Sequence, residues 1–230
     1  MRLDKYLCES TELSRAEAKR LLRGGEVTCN GKVIKTGSFK VPEGAEVRIE
    51  GNLLSLRGLR YIMLNKPVDF ISSTADDDYP SVLNLLDIDK VSTLHIAGRL
   101  DVDTTGLLLI TDDGQWSHKL MSPKKVCGKR YRVELADPIQ DSAIEAFAKG
   151  VELRNEKTVT KPATLEILSP TEVLLTITEG KYHQVKRMFA ALGNKVVGLH
   201  REQVGQIELD KKLAPGEWRY LTEVEIDSVK

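Results

Sequence analysis

The sequence lacks the features that would commit it to several large classes of protein. Its 3 cysteines, Cys8, Cys29 and Cys127, are odd in number and widely spaced, with no Cys-x-x-Cys pair, which argues against a disulfide framework or a zinc knuckle. Reduced thiols in a cytoplasm fit that pattern. No long apolar run follows Met1, so neither a signal peptide nor a membrane span is expected. No Gly-x-Gly-x-x-Gly occurs, and Gly31-Lys32 lacks the earlier glycine and the following Ser or Thr of a phosphate loop. No His-Glu-x-x-His occurs either, so neither a nucleotide cofactor nor a metal is expected. Net charge is missing too, with Lys+Arg 34 against Asp+Glu 34, which by itself argues against a strongly basic nucleic-acid protein.

What charge there is lies unevenly. Residues 1–60 hold 12 Lys/Arg against 8 Asp/Glu, leaving 22 against 26 for the rest, so the positive excess is N-terminal. With 230 residues and 41% hydrophobic content, the chain can hold a small domain joined to a medium one. Leu3, Tyr6 and Leu7 recur at helical spacing, and Ser14-Arg15-Ala16-Glu17 is a capping box opening a second helix that Gly24-Gly25 ends. Asn30-Gly31 then joins two short strands as a hairpin, and residues 46–49 offer another strand. Arg15, Lys19 and Arg23 form a row on the second helix with Arg20 beside it, a pattern that suits either a phosphate track or a solvated face. The mixed stretch 52–60 reads as a linker, placing one domain at 1–58 and another at 59–230.

The second domain interleaves strands and helices irregularly, which favours an α+β fold on a mixed, largely antiparallel sheet. Strands are expected at 61–64, 163–168 and 173–178, and helices at 139–149 and 183–192. Ser81 is expected to cap a short helix with Val82, Leu85 and Leu86, and Asp113 one that Pro123 stops. Asp76-Asp77-Asp78 lacks a calcium-loop pattern and reads as a solvated loop. Between the apolar runs 94–97 and 107–110 lies the polar turn Gly98-Arg99-Leu100-Asp101-Val102-Asp103-Thr104-Thr105-Gly106. Buried strands would hold such a turn rigidly, a placement that suits a reactive side chain. Asp101 can serve there as a reactive carboxylate or as an ordinary turn former, and Asp103 can equally fill the structural role.

Two resemblances rest on these residues. Arg2-Leu3-Asp4-Lys5, Ser14-Arg15-x-x-Ala18 and Gly25-x-Val27-x-x-Asn30-Gly31 together resemble the S4 RNA-binding domain. That likeness implies that Arg2, Lys5, Arg15, Lys19, Arg20 and Arg23 help grip structured RNA. Gly98-Arg99-Leu100-Asp101, with Asn65-Lys66-Pro67, Lys129-Arg130-Tyr131 and Glu179-Gly180-Lys181-Tyr182-His183-Gln184-Val185-Lys186-Arg187-Met188, resembles pseudouridine synthases of the RsuA type. Such enzymes break the bond from ribose C1′ to uracil N1 and remake it to C5, with no cofactor.

The second resemblance implies Asp101 as nucleophile, Tyr131 stacking on uracil, and Lys186 as the cation holding Asp101 ionised against the desolvation that would neutralise it. The family often has Arg at that position, so Arg187 is the alternative cation. Arg99 would enter the space left by a flipped base or bind a phosphate. Lys66 and the basic stretch with Lys124, Lys125, Lys129, Arg130 and Arg132 are expected to meet RNA. His183 is assigned no catalytic role. The implied substrate is a uridine of 16S rRNA, position 516 in the branch most resembled, in free rRNA or a small-subunit assembly intermediate, acted on by a monomer. A 23S rRNA enzyme of the same family is the nearest alternative. A noncatalytic rRNA-binding or assembly protein is the rival from another class.

Overall fold

The computed structural model describes residues 1–122 and 126–229, which fall into two compact units, Met1–Leu59 and Arg60–Lys230. Pro123, the expected helix stop, and Lys124 and Lys125 of the basic stretch lie outside the described residues.

In the N-terminal unit, helix α1 (Leu3–Ser10) packs on α2 (Arg15–Gly24), followed by strands β1 (Val27–Cys29), β2 (Lys32–Val33), β3 (Val47–Ile49) and β4 (Asn52–Leu53) in the antiparallel order β2-β1-β3-β4. Ser14 and Glu17 form the capping box, and Gly25, in the left-handed region at φ 79°, closes α2 by donating to the carbonyls of Leu21 and Leu22. The helical spacing of Leu3, Leu7, Ala18 and Leu22 buries these side chains against Val27, Cys29 and Val47. The opposite face of α2 leaves Arg15, Lys19, Arg20 and Arg23 exposed.

The second unit carries β5 (Tyr61–Lys66), β6 (His95–Ala97), β7 (Thr105–Thr111), α3 (Gly114–Met121), β8 (Lys129–Leu135), α4 (Ser142–Lys149), β9 (Thr164–Ser169), β10 (Glu172–Ile177), α5 (Gln184–Ala191), β11 (Val196–Val204), β12 (Ile207–Glu208), β13 (Trp218–Tyr220) and α6 (Glu223–Asp227). Its nine-stranded sheet runs β13-β5-β7-β11-β8-β10-β9, with β12 on β11 and β6 on β7. Among these pairings only β11 with β7 is parallel, giving the mixed, largely antiparallel α+β architecture. The helix expected over 139–149 begins at Ser142, after a turn in which Ile139 donates to the Pro170 carbonyl. Residues 82–85 form a single 3-10 turn, with Ser81 accepting from the amide of Leu83.

The uninterrupted run Leu107–Ile110 makes β7 a strand buried on both faces. Leu108 and Ile110 point with Ile62 and Leu64 into a core shared with Phe147 of α4 and Val185, Met188 and Phe189 of α5. Leu107 and Leu109 point with Met63 into a second core under Trp116 and Leu120 of α3. Phe147 and Phe189 meet edge to face at 5.1 Å, and truncating either to Ala would cost about 3–5 kcal/mol. The sheet is therefore anchored on both sides of the strand that leads out of the polar turn.

Candidate active site

Residues 98–104 join β6 to β7, and their backbone is held from three directions. Lys66, at the end of β5, is 0% exposed, and its ammonium donates to the carbonyls of Pro67 at 2.9 Å, Val102 at 3.2 Å and Thr104 at 2.9 Å. Ser72 accepts from the Leu100 amide at 3.0 Å and donates to the Leu100 carbonyl at 2.8 Å. Arg201 of β11, 1% exposed, donates to the Gly98 carbonyl at 2.7 Å and the Leu107 carbonyl at 2.9 Å. A buried cation is tolerable only when its donors are spent in this way. Breaking either clamp would leave buried carbonyls unpaired.

Gly106 explains how Arg201 comes so close. It sits at φ 104°, and a Cβ there would lie 2.3 Å from the Arg201 carbonyl oxygen and 2.7 Å from its amide nitrogen. Any side chain would push β7 and β11 apart at the point where they pair.

The turn turns the Asp101 carboxylate outward, with its side chain 38% exposed. Its Oδ2 lies 3.5 Å from His183 Nε2 and 3.7 Å from Lys186 Nζ, both supplied by the start of α5. Lys186 gives its hydrogen bonds to Asp103, at 2.7 and 2.8 Å from the two carboxylate oxygens, and this contact holds the Asp103 carboxyl below its usual range. Lys186 thus stands beside Asp101 as expected, but not beside that carboxylate alone. The ammonium serves two carboxylates and is hydrogen-bonded to the other one.

Arg187, the alternative cation, turns away. It binds Glu156 at 3.0 Å, the Tyr182 carbonyl at 2.9 Å and the Arg154 carbonyl. The expectation for Lys66 is corrected, because a fully buried ammonium meets no RNA; it braces the turn instead. Burial lowers its pKa to about 8, with Asp103, Asp101 and Asp69 opposing that fall. His183, assigned nothing from sequence, stands beside Asp101. The only signal for it was its place at the mouth of the helix that carries Lys186.

Tyr131 is 7% exposed and packs in the core that also holds Leu100 and Val185, the neighbours of Asp101 and Lys186. Its register partner across the sheet is Arg201. Arg99 is exposed at the rim of the turn. The described residues of the basic stretch do not form one track: Lys129 is half-buried with its ammonium 3.4 Å from the Glu179 carbonyl, while Arg132 binds Glu172 at 2.5 Å and Glu202 at 2.6 Å. Arg130 shares Glu202 at 3.5 Å. In the N-terminal unit, Arg2 pairs with Asp4 at 2.7 Å and Lys5 with Glu9 at 3.4 Å. Asp76 accepts from the Ser81 amide and Asn84, which makes it a local cap. Among the described residues no group of three or more His, Cys, Asp or Glu could hold a metal ion, and no helix is long and apolar enough to cross a membrane.

Comparison with known proteins agrees with this geometry. Residues 60–191 match the RNA pseudouridylate synthase family and residues 1–47 the S4 domain. The chain is 60% identical over 231 residues to a protein of Vibrio parahaemolyticus named ribosomal small subunit pseudouridine synthase A, covering 100% of this chain and 99% of the relative. It is 55% identical over 230 residues to the protein of that name from Escherichia coli strain K12, covering 100% of both. A crystal structure described as pseudouridylate synthase superimposes with a TM-score of 0.73 at 50% identity, covering 100% of both chains. With its family motifs clustered on a clamped aspartate turn and full-length relatives at these identities, the chain belongs to the RNA pseudouridylate synthase family and carries an N-terminal S4 domain.

Proposed function

We propose that the chain converts one uridine of 16S rRNA to pseudouridine, the uridine at position 516 in the branch it resembles, using Asp101 as the reacting carboxylate. The observation that carries this reading is an accessible carboxylate on a turn braced by Lys66, Ser72 and Arg201, with Lys186 at 3.7 Å. The net reaction is an isomerisation. The C1′–N1 bond breaks, C1′ bonds to C5, and the proton lost from C5 is balanced by one gained at N1. A fixed carboxylate can act on the ribose or the base while the detached uracil is retained.

In this reading Lys186 faces the Asp101 carboxylate at 3.7 Å, and Tyr131 stacks on the uracil. Arg99, exposed at the rim, occupies the gap in the RNA stack left by the flipped uridine. The exposed row on α2 holds phosphates of the RNA. The small-subunit target is supported by the relatives' names and by full-length similarity to them. The enzyme works as a cytoplasmic monomer on 16S rRNA or a small-subunit assembly intermediate.

The test uses 16S and 23S transcripts labelled with tritium at uracil C5, each offered free and within assembly particles. Tritium release from 16S substrate alone, with a single modified position by mass tagging, is the expected result. Release from 23S alone would overturn the target, and release from neither would favour an rRNA-binding protein without this activity.

A further inference from the structure

The segment 179–183 is bound tightly at its backbone and left open at its largest side chain. Lys181 reaches Glu156 at 3.1 Å, and Arg187 joins that same glutamate to the Tyr182 carbonyl. Gln184 accepts from the Lys181 amide at 2.9 Å and donates to Glu179 at 2.8 Å. His183 takes a left-handed backbone at φ 46°, which is uncommon for a residue with a side chain. That conformation lays its ring on Tyr182 with centroids 3.8 Å apart and planes 20° from parallel, and it brings Nε2 to 3.5 Å from Asp101.

Tyr182 is 76% exposed, far more than a tyrosine serving only as packing. One face of its ring is taken by His183, and the other has no ring against it among the described residues. A rigidly held, open aromatic face next to a reacting carboxylate is the arrangement that single-stranded nucleotides stack on, because every base has a π-face and a splayed strand has lost its own neighbours.

We propose that Tyr182, backed by His183, is a stacking platform for a nucleobase flanking the target uridine, and so positions the strand as the uridine enters the Asp101 site. The ligand class is an unpaired RNA base, taken without hydrogen-bond readout. His183 is a positioning residue here, setting the angle of the Tyr182 ring through their stack. The inference builds on Asp101 as the reacting group, and its test is read by binding as well as turnover.

The experiment is a cycle on the full chain with a 16S rRNA fragment carrying the target uridine. Wild type, Tyr182→Ala and Tyr182→Phe are each combined with an abasic site at every flanking nucleotide in turn. Tyr182→Ala should weaken binding about tenfold and Tyr182→Phe should restore it, as loss of one base–aromatic stack predicts. At one flanking position the abasic site should weaken wild type by a similar factor and leave Tyr182→Ala unaffected. 2-Aminopurine at that position should be quenched by wild type and Tyr182→Phe but not by Tyr182→Ala. If the two losses multiply at every flanking position, or if Tyr182→Ala binds as wild type does, the platform is refuted. Failure of tritium release with the binding cycle intact would instead count against pseudouridine formation, so the two readings separate.

Discussion

The Asp101 turn and the basic row on α2 are both polar surfaces that face RNA in the proposed function, yet they are built in opposite ways. At the turn, cations are buried and spend their donors on backbone, so that a single carboxylate is aimed. On α2, Arg15, Lys19, Arg20 and Arg23 stand in solvent on one helix face, and their side chains can follow whatever phosphates arrive. Chemistry needs an atom fixed to a fraction of an ångström, whereas gripping a polyanion needs only charge density. The same residue type, lysine, is a brace in one place and a tether in the other. Burial decides which.

The sharpest way to break that contrast is Asp101→Asn, which keeps shape and removes the carboxylate. Single-turnover tritium release should fall by at least about a thousandfold while RNA affinity stays within a few fold, and substantial residual release would remove Asp101 from its role. Lys66→Met should cost about a hundredfold in turnover by letting the turn drift, with affinity again nearly unchanged.

Lys66 also sets a pH signature. Its pKa falls from 10.5 to about 8 on folding, so between those values the unfolded chain binds the proton more tightly and stability rises with pH. Turnover should instead decline above about pH 8 as the ammonium that braces the turn is lost. Parallel pH series of turnover and denaturation should diverge in wild type, and the divergence should vanish in Lys66→Met.

Neutralising Arg15, Lys19 and Arg23 together should leave turnover at saturating RNA unchanged. It should also flatten the logarithmic salt dependence of binding by about two units, as three lost phosphate contacts imply. An unchanged slope would make the row an ordinary solvated face. The smallest effect is expected from Asp103→Asn, which frees Lys186 and removes a negative neighbour of Asp101. Neither change touches the braces of the Asp101 turn, so peak turnover in single-turnover tritium release should stay within about fivefold. Lys186→Met, which removes the cation 3.7 Å from Asp101, should lower turnover by more.

Much of this molecule was legible from local pattern. The capping box at Ser14, the Asn30-Gly31 hairpin and the buried run of β7 all follow from neighbours a few residues apart. What escaped was set at long range. The nine-residue β11 carries Gly198, His200, Arg201 and Glu202, which blur the two-residue period, and its role comes from pairing with three other strands. Lys66 read as an RNA contact because lysine is normally exposed; only the fold brings three carbonyls around it. Asp101 was singled out through its motif, but the sharing of Lys186 with Asp103 is a matter of about one ångström that no spacing encodes.

The guanidinium that pins Gly98 belongs to a residue 103 positions further along the chain. During synthesis, which proceeds from the N-terminus, the S4 unit and its basic helix are complete before the aspartate turn has emerged, and the turn stays slack until β11 follows it. Long-range strand pairing of this kind is also the slow part of folding. If the proposed roles of α2 and Asp101 hold, a newly made chain passes through a stage in which it is equipped to hold RNA but has no assembled catalyst, and competence for the reaction arrives as one of the last events of its maturation.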